Sequence, residues 1–332
     1  MIVATAPGRC GLVGNPTDMY GGSVISCATR ERARCTLTLA DAITLSVSGQ
    51  TQTIQSWDDL ALRDDYLNVA RAVLLALKVE PGRTAGFHLC ADTQIPMQAG
   101  LAGSTAILAT LVGCVLAHLD LHLNPYQTAE LVRRIEYDVL GIVCGFQDHY
   151  MAAFGGLNFM DFRGKSSVQT QDDAAPFATV EPLQHYIGQD LPLLLAHTGV
   201  RHHSGLVHKS PRERWLAGDP VVVDGYREVE GLARMAKRAL LSGKWDALAA
   251  LMNRNHAIVR DLGGSGDSNE ALISAALAGG ALGAKLAGAG GGGTILALTR
   301  DPERTERALL AAGAEQILRP QPAPGLAVEV SG

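Results

Sequence analysis

Up to about residue 90, apolar and polar positions alternate in short runs separated by Gly and polar turns. This pattern predicts strands at Ile2–Ala6, Gly11–Val13, Ser23–Thr29, Arg34–Leu39, Ile43–Val47 and Gly86–Cys90. One helix, about Tyr66 to Leu77, interrupts them. From Thr93 to Leu119 the chain has no Asp, Glu, Lys or Arg, and Leu101 to Leu119 has the length of a bilayer span. Small and polar residues interrupt it, however, among them Gly100, Gly103, Ser104, Thr105, Thr110, Gly113 and His118. Leu108, Leu111, Val112, Val115 and Leu119 recur at i, i+3, i+4, i+7 and i+11, the stripe of a buried helix in a water-soluble protein.

The next helix is punctuated at both ends. Asn124 suits the N-cap, Pro125 the first position and Gln127 a capping box, and Gly141 stops it. Beyond a polar stretch from Arg163 to Ala175, Leu191–Ala196 reads as a buried strand. Val222–Ser242, Trp245–Leu262 and Asn269–Ala278 read as helices, and Thr294–Leu298 as a strand. A mostly β half followed by strand, long helices and strand predicts an α+β fold of two domains, residues 1–188 and 189–332, with no repeat of fixed period.

Composition narrows the partners. The 332 residues carry 28 Lys plus Arg against 33 Asp plus Glu, a formal charge of −5, and 47% of positions are hydrophobic. That excludes a disordered chain and argues against the broad basic face that nucleic acid or anionic membranes require. A small molecule is the expected partner, and monomer and homodimer stay open. Cys10, Cys27, Cys35, Cys90, Cys114 and Cys144 show neither CxxC pairs nor Cys/His ligand spacing. They read as reduced core thiols, and with no basic leader and apolar run at the start, the chain is expected in the cytoplasm.

Three small-residue loops hold the candidate chemistry, and each alone also suits an ordinary turn. The first runs from Pro7 to Gly22 and includes Arg9, Asn15-Pro16, Asp18 and Gly21-Gly22. The second, Pro96 to Ala106, runs straight into the uncharged helix. A helix start offers unpaired N–H groups and the positive end of the macrodipole, and glycines let a polyanion approach the backbone, so this loop has the properties of a phosphate site. Ser104 or Thr105 would place a hydroxyl where Mg²⁺ on nucleotide phosphates needs an oxygen, although either is equally a plain helix cap. The third, Leu286 to Thr294, contains G-x-G-x-x-G at Gly288, Gly290 and Gly293, but a strand follows it where a dinucleotide fold needs a helix. No G-x-x-x-x-G-K-[ST] occurs either. Between the second and third loops lie Glu136, at the edge of an apolar stripe, and Asp148, among small and apolar residues, where an unpaired charge is costly.

The three loops in this order, with Gly145-Phe146-Gln147-Asp148 and Phe154-Gly155-Gly156 between the last two, resemble the GHMP kinase superfamily of galactokinase, homoserine kinase, mevalonate kinase and phosphomevalonate kinase, from Ala6 to Thr299. The resemblance implies a GHMP kinase fold, with a ribosomal-protein-S5-like N-terminal domain that binds ATP and a ferredoxin-like C-terminal domain. It further implies ATP-dependent phosphoryl transfer to a small hydroxyl compound. Gly11-Leu12-Val13-Gly14-Asn15-Pro16-Thr17-Asp18, Gly156–Phe162, Arg212–Asp219 and Leu251–Asn255 are similar to the glucuronokinase branch. Ile135–Gly141 and Gln147–Tyr150 also look like heptose-7-phosphate 1-kinases. Both branches phosphorylate an anomeric hydroxyl, and the first loop with Arg214-Trp215 favours D-glucuronate as acceptor.

By the same resemblance, Gln98, Ala99, Gly100, Leu101, Ala102, Gly103, Ser104 and Thr105 cradle ATP, and Ser104 and Glu136 hold Mg²⁺. Asp148 is the base, Arg9 the cation beside it, and Asp18 the acceptor for a sugar hydroxyl. Gly290 and Gly291 of the third loop approach the substrate. The second loop departs from the usual Gly-Ser-Ser in reading Gly103-Ser104-Thr105, which keeps the hydroxyl. A planar guanidinium suits a uronic acid's carboxylate, making Arg201 or Arg212 the candidate fork, while His202-His203 lacks the spacing of a zinc site. The competing readings are a heptose-7-phosphate 1-kinase, another small-molecule GHMP kinase such as mevalonate kinase, a GHMP decarboxylase acting on phosphorylated mevalonate, and a catalytically dead relative that senses ATP and a sugar.

Overall fold

The computed structural model describes residues 1–165, 175–187, 190–199, 209–288 and 293–331. The chain opens with strands β1 (Ile2–Val13), β2 (Ser23–Leu39), β3 (Ile43–Val47) and β4 (Gln50–Ile54). Helix α1 (Asn68–Ala76) and strand β5 (Phe87–Thr93) follow, then helices α2 (Gly103–His118), α3 (Pro125–Arg134) and α4 (Gln147–Phe154), and strands β6 (Leu157–Asp161) and β7 (Thr179–Pro182). Next come β8 (Leu193–His197), helices α5 (Lys209–Leu216), α6 (Pro220–Leu241), α7 (Trp245–Asp261) and α8 (Asp267–Ala278), and strands β9 (Ala281–Leu286) and β10 (Thr294–Thr299). Helix α9 (Pro302–Ala311) and strands β11 (Gln316–Leu318) and β12 (Ala327–Val330) end it.

Two sheets result, as the α+β expectation requires. One has the order β12-β1-β2-β5-β3-β4, with β6 and β7 continuing from β2, and the other is β11-β8-β10-β9. The last strand pairs antiparallel with β1, Ile2 opposite Val330, so the sheets are not consecutive halves of the chain. The expected division between 188 and 189 falls outside the described residues. A single apolar core runs from β1, β2 and α2 into α6 and α7, which packs the two layers together.

Two expected breaks in the strands do not occur. Ile2–Ala6 and Gly11–Val13 are one strand, as are Ser23–Thr29 and Arg34–Leu39. Pairing with β2 carries β1 through Pro7-Gly8, and the irregularity appears instead as a register shift between Pro7 and Arg9. A bulge of this kind re-aims the side chain that follows. Helix α2 is buried almost throughout, confirming its reading as a core helix, and among the described residues no helix is long and apolar enough to cross a membrane. The capping box of α3 forms as expected: Asn124 accepts from the Gln127 amide at 3.0 Å and Gln127 returns the bond to the Asn124 amide. That α-helix ends at Arg134, however, and Ile135–Val139 is a π-helical turn before Gly141, so Glu136 sits on a widened turn.

Candidate active site

The first and second loops, the π turn and the start of α4 enclose a cleft of about 670 Å³. On its floor the second loop enters α2 through a strained backbone. Gln98, Gly100 and Ala102 have φ of 56°, 74° and 60°, and the left-handed conformation is costly for Gln98 and Ala102. Ala102 is the N-cap and no side chain caps the helix. Ser104 is therefore not a cap: it lies inside the first turn, exposed, and lines the cleft. Among the described residues no side chain caps the first amides of this long buried helix, the kind of helix start that suits an anion.

Arg9 connects the loops. The bulge delivers its guanidinium to Asp148, Nε donating to Oδ1 at 2.7 Å, while Nη1 donates to Gly100 O at 2.6 Å and to Ala287 O at 3.4 Å. Gly8 makes the approach possible, since a Cβ there would lie 2.8 Å from Leu101 O. Burial alone would push the Asp148 carboxyl upward. The Arg9 guanidinium, by charge and by hydrogen bond, and then His149 hold it below the ordinary carboxylate range. Asp148 stays about 30% exposed, so the site contains an ionised carboxylate that a ligand can reach.

Asp18 is buried and does more than the resemblance implied. Its Oδ2 accepts the amides of Phe146 at 2.8 Å and Gln147 at 3.0 Å, capping the helix that carries Asp148. Gly145 is needed for this cap, since a Cβ there would lie 2.0 Å from Oδ2. Burial, with Asp148 nearby, raises the Asp18 carboxyl despite the two amides.

Glu136, also buried, is held by two neighbours: His149, which sequence reasoning missed, and Thr105, expected only in the ATP cradle or on Mg²⁺. Thr105 Oγ1 donates to its Oε2 at 2.9 Å, and His149 Nε2 lies 2.7 Å from the same oxygen. The second hydroxyl of Gly103-Ser104-Thr105 therefore orients a carboxylate. Ser104 and Glu136 both line the cleft and carry oxygen donors, the ligand type that Mg²⁺ takes.

The third loop reaches this site at its described end: Gly11 N donates to Ala287 O at 2.9 Å, and a Cβ on Gly288 would lie 2.3 Å from Gly100 O. Gly290 and Gly291 lie outside the described residues, as do Arg201 and the His202-His203 pair. Behind the contact sits a second missed residue, Lys285, fully buried on β9. Its Nζ donates to Asn15 Oδ1 at 2.8 Å, Gly11 O at 3.1 Å and Leu286 O at 2.5 Å, and burial pushes the ammonium down to about 7.

Arg212 does not line the cleft among the described residues. It sits on α5, which docks through Trp215 against Tyr20, ring centroids 4.7 Å apart, on the turn that carries Asp18. Its charge acts on Tyr20, and its Nε is buried with no hydrogen-bond partner among the described residues. Elsewhere the cleft has an apolar arm of Val47, Val69, Met97, Ile107, Leu140 and Ile142. Val47, Val69 and Ile107 were read only as strand or helix, and Met97 only as part of the second loop. The cysteine expectation holds in that all six are free, with Cys10, Cys27, Cys35 and Cys114 buried, but Cys90 is exposed and Cys144 half-buried at the cleft.

The sequence matches the family models "GHMP kinases N terminal domain" over residues 68–156 and "GHMP kinases C terminal" over 236–317. Glucuronokinase 1 of Arabidopsis thaliana is 30% identical over 308 residues, covering 85% of this chain and 81% of that protein. Mevalonate kinase of Pyrococcus furiosus is 27% identical over 322 residues, covering 91% and 90%. The D-glycero-D-manno-heptose 1-phosphate kinase from Bacteriodes thetaiotaomicron has the same fold, with a TM-score of 0.77 at 22% identity over 100% of both chains. By sequence and by fold, the chain belongs to the GHMP kinases and is a phosphotransferase that uses ATP.

Proposed function

We propose that the chain transfers the γ-phosphoryl group of ATP to the anomeric hydroxyl of a monosaccharide, with D-glucuronate as acceptor and glucuronate 1-phosphate as product. The observation that carries the reading is the Arg9–Asp148 pair: an ionised, partly exposed carboxylate 2.7 Å from a guanidinium that also grips the second loop. Phosphoryl transfer asks a protein chiefly for positioning and charge neutralisation. The uncapped amides of residues 98–104 cradle the phosphates, and the apolar arm receives the base. Asp148 takes the proton of the acceptor hydroxyl, the acceptor oxygen attacks the γ-phosphorus in line, and ADP leaves.

Ser104 and Glu136 would hold Mg²⁺, which when bound neutralises phosphate charge. Glu136 is kept in place by Thr105 and His149. Asp18 orients the base by capping its helix and offers Oδ1 to a sugar hydroxyl. For a uronate carboxylate, Arg212 is the candidate on the described residues, its unpartnered Nε beside Tyr20 supporting the role. The names of the Arabidopsis relatives support the acceptor.

The test is ADP release over a panel of D-glucuronate, neutral hexoses, heptose 7-phosphates, mevalonate and its phosphates, with products identified. Turnover confined to mevalonates would replace the sugar reading, CO2 release from a phosphorylated mevalonate would reveal a decarboxylase, and ATP binding without turnover on any acceptor would indicate a sensor. If D-glucuronate is turned over, Arg212→Ala should raise its KM far more than that of ATP. Equal effects would remove Arg212 from the acceptor site.

A further inference from the structure

Glu136 and His149 meet a third donor that phosphoryl transfer does not use. Cys144 Sγ lies 3.9 Å from His149 Nε2, itself 2.7 Å from Glu136 Oε2, and the three donor atoms all lie within 4.8 Å of one another. They come from separate pieces of backbone: the π turn, the segment after Gly141, and the first turn of α4. Glu136 and His149 are buried, whereas Cys144 is half-buried and lines the cleft, which gives an ion a way in.

The donor chemistry differs from that of a magnesium site. Mg²⁺ takes oxygen ligands, while an imidazole nitrogen, a thiol sulfur and a carboxylate oxygen on one point suit zinc. Four-coordinate zinc holds such atoms at about 2.3 Å for sulfur and about 2.0 Å for nitrogen and oxygen, so the ligands stand roughly 3.3–3.6 Å apart. The Sγ to Nε2 gap must close by a few tenths of an ångström, the Nε2 to Oε2 gap must open by about half an ångström, and the sulfur must approach the carboxylate from a separation of up to 4.8 Å, adjustments made by side-chain torsions.

We infer that Glu136, Cys144 and His149 form a binding site for Zn²⁺ or a cation of the same soft divalent class, entered from the cleft and keeping one position for water. On binding, the Cys144 thiol gives its proton to solvent and His149 coordinates through the Nε2 lone pair with its proton on Nδ1. Its hydrogen bond to Glu136 is exchanged for metal bonds. One consequence rests on the function proposed above: a zinc ion that claims Glu136 competes with Mg²⁺ and inhibits the kinase.

The test uses Co²⁺ as a spectroscopic substitute, titrated into the full chain. The parent should develop thiolate-to-cobalt charge-transfer absorption that Zn²⁺ abolishes. Cys144→Ser and Cys144→Ala should lack it, and Cys90→Ser, at the exposed cysteine, should keep it. In assays with excess Mg²⁺ and ATP, Cys144→Ser should raise the half-inhibiting Zn²⁺ concentration about tenfold or more, because loss of even an outer-shell partner costs roughly 10–100-fold. Each half-inhibiting concentration is read against that variant's own activity without zinc. Absence of the absorption in the parent, its persistence in both Cys144 variants, or equal zinc sensitivity of parent and Cys144→Ser would overturn the inference. Charge-transfer absorption from a chain inactive on every acceptor would uphold the metal site and reject the function.

Discussion

Replacing Arg9 separates its two roles, because one guanidinium both sets the charge of Asp148 and ties the second loop to the first. The Nε to Oδ1 distance is 2.7 Å, which places the charge centres about 4 Å apart. At an effective dielectric of about 20 such a pair attracts by roughly 4 kcal/mol before solvent screening. Asp148 is about 30% exposed, so solvent screens part of that attraction, and what remains helps hold the carboxyl below its ordinary range. In Arg9→Met the upward push of burial is no longer opposed by the guanidinium. The sign follows: a base whose titration moves up is protonated over more of the acid range. The acid limb of kcat/KM for the acceptor should therefore shift to higher pH, with activity partly regained in alkaline buffer. Arg9→Lys keeps the charge but cannot reach both Asp148 and Gly100 O, so its acid limb should stay near the parent's while KM for ATP rises. The assay is ADP release from about pH 5 to about pH 9 on variants shown by circular dichroism to be folded. Superimposable acid limbs for Arg9→Met and the parent would refute the electrostatic role.

Asp148→Asn should lower kcat by about 10²–10⁴-fold while leaving ATP binding by calorimetry near the parent's, as expected for loss of a general base; retention of more than a few per cent of kcat excludes that role. Gly288→Ala places a methyl 2.3 Å from Gly100 O, so the second and third loops must separate; a stability loss of about 1–3 kcal/mol and a rise in KM for ATP should be measurable by urea melts and kinetics. Asp18→Ala removes the cap of α4 and should cost about 1 kcal/mol together with a fall in kcat; Asp18→Asn, which keeps an oxygen for the two amides, should recover most of the stability. Lys285 titrates near 7 in the folded chain against 10.5 ordinarily, so between those values the unfolded chain binds the extra proton and stability rises with pH, by up to about 1.4 kcal/mol per unit. Lys285→Met should be less stable, since it strips a donor from Gly11 O, Asn15 Oδ1 and Leu286 O, and urea midpoints at about pH 7 and about pH 9 should show it without that slope.

The local determinants were legible in the sequence. Helix α2 announced itself by a charge-free stripe, and α3 by Asn124, Pro125 and Gln127, because burial and capping are decided within a few residues. Arg9, Asp18, the second loop and Asp148 were found on the motifs that carry them, and the fold brings all of them to one cleft. What stayed hidden depends on contacts between distant positions. Strands β1 and β2 ran through their predicted breaks because cross-strand pairing overrides local turn preference. Strand β12 could not be assigned to β1 without knowing that the chain returns.

The same distinction explains the missed site residues. His149 reads as one more polar residue beside Asp148, and Thr105 as part of the ATP cradle or a Mg²⁺ hydroxyl, not as the group that orients Glu136. Only the crossing of α2, the π turn and α4 puts both on Glu136 Oε2. Lys285 sits in a strand whose neighbours are apolar, where a lysine suggests a surface position. It is buried because the first loop brings Gly11 O and Asn15 Oδ1 to its amine. In each case a motif names the group that faces the ligand, while the partners that fix its charge and direction are spread over 13 to 274 positions of chain. A site of this kind is therefore sensitive to substitutions that no loop motif would flag, and His149 and Lys285 are where that sensitivity should concentrate.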